Sequence, residues 1–115
     1  MPVREVTADE FRRQLDLLSA DYRARLPEKT AEIARLWGNL VTGMAPTTFL
    51  VDLRRELHTL CGSAKTFGAG YVSELAAAAE ALVEPICEQG SLPGAAEIAE
   101  MTRLLDALQR SAADA

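Results

Sequence analysis

Between Pro46 and Gly68 the apolar residues Phe49, Leu53, Leu57, Leu60, Ala64 and Phe67 recur at intervals of four, four, three, four and three. An α-helix completes a turn in about 3.6 residues, so this spacing lines the six side chains along one stripe. A β-strand would divide them between two faces. The stripe predicts a helix over about Pro46 to Phe67 that buries one face and leaves the other free. One residue works against that helix. Gly62 sits in its interior, where glycine costs about 1 kcal/mol relative to alanine.

The rest of the chain is rich in Ala, Leu, Glu and Arg and poor in β-branched runs, which extends the helical reading. A first helix is expected from Thr7 or Asp9 to Leu26, burying Phe11, Leu15, Leu18 and Tyr22, with Thr7 and Glu10 in capping-box spacing. Pro27 is predicted to break it and to open a second helix, which carries Ile33, Leu36, Trp37 and Leu40 to about Val41 and ends at Gly43. After the Pro46–Phe67 helix, Gly68 and Gly70 mark a turn. A fourth helix follows over about Tyr71 to Cys87, with Val72, Leu75, Ala79, Leu82 and Ile86 inward and Pro85 kinking or fraying its end. The loop Gln89 to Gly94 precedes a last helix bearing Ile98, Met101, Leu104, Leu105 and Leu108, and the tail from Ser111 is expected to fray. Short loops between amphipathic helices make neighbours antiparallel. The expected fold is all-α: an up-and-down antiparallel four-helix bundle with an additional N-terminal or C-terminal helix, one domain over residues 1–115.

A chain of 115 residues with 49 % hydrophobic content supports a single core. The net charge of −5 argues against nucleic acid or an anionic membrane surface as partner. No apolar run is long enough to span a bilayer, and Met1-Pro2-Val3-Arg4-Glu5 does not read as a signal peptide. Cys61 and Cys87 form no Cys-x-x-Cys pair and there is a single histidine, so no metal site is expected. A cytoplasmic, reduced setting and a monomer follow as expectations, because the stripes are narrow enough to be satisfied within one bundle.

That single histidine, His58, lies in the Pro46–Phe67 helix. At about 100° per residue, Lys65 and Val51 fall about 20° from it, Gly62 and Arg54 about 40°, and Cys61 and Arg55 about 60°. Leu53, Leu57 and Ala64 lie about 100° to 140° away, so His58 faces solvent among cations. Imidazole titrates near neutral pH and its neutral form is a good nucleophile. A phosphoryl group placed on it would be stabilised by nearby ammonium or guanidinium groups. Phosphoryl transfer needs in-line approach, and Gly62 removes bulk beside the nucleophile. No Gly-rich phosphate loop follows a strand and no acidic cluster has a Mg²⁺-binding pattern, so the chain could carry a phosphoryl group but not extract one from ATP alone.

The run His58-x-Leu60-x-Gly62-Ser63-Ala64-x-x-Phe67-Gly68 resembles the signature of histidine phosphotransfer domains, the HPt modules of two-component phosphorelays and chemotaxis kinases. The helix order from Phe11 to about Glu84 is similar too. The resemblance implies a four-helix bundle in which His58 accepts a phosphoryl group. It would exchange that group with receiver-domain aspartates of hybrid histidine kinases or response regulators, which bring Mg²⁺ and most catalytic groups. The protein would then be a carrier with no cofactor of its own rather than an enzyme. Many members have lysine three residues after the histidine, where this chain has Cys61. Lys65 lies on the same side of the helix and is the expected substitute, with Gly62 admitting the partner and Val51, Arg54, Arg55 and Cys61 as docking residues.

Two other readings stay open. One is an HPt-like adaptor that docks a receiver or kinase without accepting phosphate. The other is a thiol-redox protein using Cys61 with His58, although no third group orients that pair. Cys87, Trp37, Phe67 and Gly68 read as structural.

Overall fold

The computed structural model describes residues 7–115, and the opening five residues read above lie outside them. The chain forms helices α1 (Ala8–Val41), α2 (Phe49–Thr66), α3 (Gly70–Gln89) and α4 (Ala95–Asp114). They close into a ring in which α1 packs on α2 and α4, while α3 packs on α2 and α4. This is the expected all-α, up-and-down bundle. The core runs along its axis through Leu26, Ile33, Trp37 and Leu40 of α1, Leu53, Leu57 and Leu60 of α2, and comparable stripes of α3 and α4.

The break expected at Pro27 does not occur. Thr7 caps the helix by accepting the Glu10 N–H at 3.1 Å, and α1 then runs unbroken through Pro27 to Val41. An interior proline removes one helical hydrogen bond and costs about 3 kcal/mol. Here both sides of it are anchored. On the N-terminal side the Tyr22 ring stacks on Phe67 with centroids 4.9 Å apart. The Tyr22 hydroxyl donates to Ser63 Oγ at 2.7 Å, and Arg23 Nη1 donates to the Phe67 carbonyl at 3.2 Å. On the other side Ile33, Trp37 and Leu40 are in the core. Ending the helix at Pro27 would detach one set from the other, and Pro27 is itself exposed, so its ring displaces nothing from the core. The additional helix is therefore the N-terminal half of α1 and not a separate element.

That half overshoots the bundle. At about 1.5 Å per residue α1 is about 51 Å long, while the 18 to 20 residues of each other helix reach about 30 Å at most. Phe11, Leu15 and Leu18, expected in the core, are 57 %, 42 % and 56 % exposed because no other helix extends alongside them. The premise of the monomer expectation, that every stripe is satisfied within one bundle, thus fails for this segment.

Smaller differences have local causes. The turn over residues 46–48 precedes α2, with the Pro46 carbonyl accepting the Phe49 N–H at 3.0 Å. Phe49, placed on the buried stripe, is 40 % exposed, and Leu50 takes the core position instead. Pro85 is also exposed and α3 continues past it to Gln89, where Gly90 at φ 66 closes the helix. The expected fraying from Ser111 is absent, since α4 runs to Asp114 with Ala112 buried.

Candidate functional site

Helix α2 presents His58 on the side opposite its core stripe, with the imidazole 77 % exposed. The nearest polar partner comes from α3. Glu80, 23 % exposed, places its carboxylate oxygens 2.9 and 3.2 Å from His58 Nδ1. A carboxylate only accepts, so this contact assigns the proton to Nδ1, which donates to Glu80. Nε2 then carries the free lone pair and points away from the carboxylate. A neutral imidazole held in one tautomer with Nε2 open is poised as a nucleophile, and a negative charge on its far side suits the cationic ring formed when Nε2 is substituted.

An open groove adjoins this pair, lined by Val51, Arg54, Arg55 and His58 of α2 and by Glu80 and Glu84 of α3. The face expected to be basic is therefore mixed, because α3 contributes two carboxylates. Arg55 makes an ion pair with Asp52 at 3.5 Å. Arg54 is half-buried and has no hydrogen-bond or ion-pair partner among the described residues. Lys65 is exposed, but it lies two turns beyond His58 and outside the groove. The second wall of the site is α3.

Gly62 is exposed, and a Cβ added there would meet nothing within 4 Å. Packing therefore gives no reason for glycine at this position. Helical side chains lean toward the N-terminus, so any side chain at 62 would tilt over the turn bearing His58. Bare backbone leaves the space over that turn open. Cys61 is turned the other way. It is half-buried against the core, with Sγ 3.6 Å from Ser73 Oγ, and the Ser73 hydroxyl donates to the Cys61 carbonyl at 2.7 Å. This places Cys61 at the α2–α3 contact and not on the outer face of α2, and both cysteines are free thiols.

Glu80 and Glu84 are the residues that sequence reasoning missed. Helical spacing relates residues of one helix, and nothing in it predicts which α3 side chain reaches α2 across 22 positions. One signal was available: Glu80 is the lone charged residue in the run Ala76 to Ala81, where small neighbours leave a long side chain standing free.

No helix among the described residues is long and apolar enough to cross a membrane. No curated protein and no solved structure matches the chain. The model of the Hpt domain family does, over residues 4–114. Hpt domains are phosphoryl carriers that interact with receiver domains in phosphorelays, and a helical bundle with an open histidine is the arrangement such a role needs. By that match over nearly its whole length, the chain belongs to the Hpt domain family and has a histidine phosphotransfer role in two-component signalling.

Proposed function

We propose that this protein relays phosphoryl groups through Nε2 of His58, exchanging them with the aspartate of receiver domains in hybrid histidine kinases, response regulators or both. The observation that carries this reading is the Glu80 carboxylate on Nδ1, which leaves Nε2 as the reactive atom. In the accepting step the Nε2 lone pair attacks the phosphorus of a receiver's aspartyl phosphate, in line with the bond to be broken. The P–N bond forms as the P–O bond to aspartate breaks, and the carboxylate leaves with the electron pair. The Nδ1 proton stays on the ring, and Glu80 offsets the positive charge that develops there. Donation to the next receiver is the same step reversed.

In this reading Mg²⁺ belongs to the receiver and the chain needs no cofactor. The receiver docks on the exposed face of α2 around Val51, Arg54, Arg55, Gly62 and Lys65, with α3 as a second wall. Cys61 supports that surface from beneath. The protein works as a cytoplasmic carrier whose reaction is completed by its partner.

The test is incubation with a phosphorylated cognate receiver. Label that is acid-labile and alkali-stable is expected on the wild-type protein and absent from His58→Gln. Stable receiver binding with no label from any cognate receiver would replace the relay with a docking adaptor.

A further inference from the structure

We propose that Arg54 is the side chain that binds the phosphoryl group carried by His58. The inference rests on His58 being the phosphorylated residue and adds which cation meets the phosphate. Geometry gives the first argument. Because helical side chains lean toward the N-terminus, the imidazole lies over the turn that bears Arg54 and Arg55. The groove agrees, since its α2 lining is His58 and residues before it, with nothing after it. A phosphoryl group on Nε2 therefore enters space bordered by Arg54 and not by Lys65.

Charge gives the second. A phosphoryl group brings close to two negative charges at neutral pH, and this groove already holds the carboxylates of Glu80 and Glu84. Without a cation the product would be opposed by its own surroundings. Arg55 is committed to Asp52 and is mostly exposed. On the other side of the histidine Cys61 offers a thiol turned toward Ser73, and Gly62 offers no side chain. Arg54 remains. It is half-buried, so part of its ordering cost is already met, and none of its five N–H donors is used by another described residue. A planar guanidinium fits two phosphoryl oxygens at once, which an ammonium does not.

Phosphoramidate tests this without a receiver, and so without docking. Its P–N bond breaks as Nε2 attacks phosphorus, and ammonia leaves with the electron pair. Arg54→Ala is expected to slow labelling of His58 by roughly tenfold or more and to shorten the phosphohistidine lifetime, with thermal unfolding unchanged. Arg54→Lys should recover part of the rate, and Lys65→Ala should lose less than Arg54→Ala, because Lys65 lies outside the groove. In ³¹P spectra the phosphoryl titration midpoint should rise in Arg54→Ala, because a neighbouring cation favours the dianion. Wild-type rate, lifetime and midpoint in Arg54→Ala would overturn the proposal, as would a larger loss in Lys65→Ala. No label on the wild-type protein, from phosphoramidate or a receiver, would overturn the His58 reading itself and this inference with it. Label on the wild type matched by equal label on Arg54→Ala removes Arg54 alone.

Discussion

Leu57 and His58 are consecutive residues of α2 with opposite surroundings. Leu57 is fully buried, whereas the His58 side chain is 77 % exposed. Around each lies a face with its own logic. The Leu53–Leu57–Leu60–Ala64 side is held by packing, so every side chain there has neighbours that depend on its volume. On the Arg54–His58–Gly62 side, little is determined by packing: Gly62 has open space where a Cβ would be, and Arg54 has no hydrogen-bond or ion-pair partner among the described residues. The first face explains why the helix is where it is. The second contains residues that stability alone does not explain, and those are the residues to which the proposed relay assigns its chemistry.

The contrast predicts that substitutions on the two faces affect different measurements. The largest effect on stability is expected at Leu57→Ala, which should lower the unfolding free energy by about 2–5 kcal/mol through lost burial and a residual cavity. Denaturant titration checks this, and a loss below about 1 kcal/mol would mean that the two faces are less distinct than their burial indicates. Next is Glu80→Gln, which keeps shape but removes the charge facing Nδ1. The loss of a charge-assisted hydrogen bond, about 1.5–3 kcal/mol, corresponds to transfer slower by roughly tenfold to a hundredfold. Stopped-flow transfer from a phosphorylated receiver measures it, and thermal stability should change little because the pair is partly exposed.

The smallest expected effect is the sharpest test. Gly62→Ala should raise stability by up to about 1 kcal/mol, since alanine favours the helix and the added methyl meets nothing. The same variant should slow transfer to and from a receiver. Gly38 is the natural control: it is also a helical, exposed glycine with open space around it. Gly38→Ala should gain stability without loss of transfer. If both variants behave alike in transfer, Gly62 has no role in partner approach.

The two halves of α1 show where reading the sequence succeeded and where it did not. Both halves carry apolar residues at helical spacing, and the sequence treats them alike. From Leu26 onward the stripe is core, while from Phe11 to Leu18 the same pattern is exposed. Periodicity reports which residues share a face, but not whether another element is long enough to cover it. Pro27 is a similar case. Its local cost was legible, but the Tyr22–Phe67 stack and the Arg23 contact that offset it join residues more than 40 positions apart. At the site, His58, Gly62 and the solvent-facing cations follow from the geometry of one helix, whereas Glu80, Glu84 and the direction of Cys61 depend on the neighbouring helix.

The sequence by itself thus determined the helical class, the core stripe of α2, and an exposed histidine beside a bare glycine. All of these rest on interactions within one or two turns of a single helix. The tertiary structure alone decided that α1 continues through its proline, that its first half stands clear of the bundle, and that a carboxylate from α3 sets which imidazole nitrogen is free. Those features arise where separate helices meet, and the contact between two helices is a property of their packing, which no local spacing encodes.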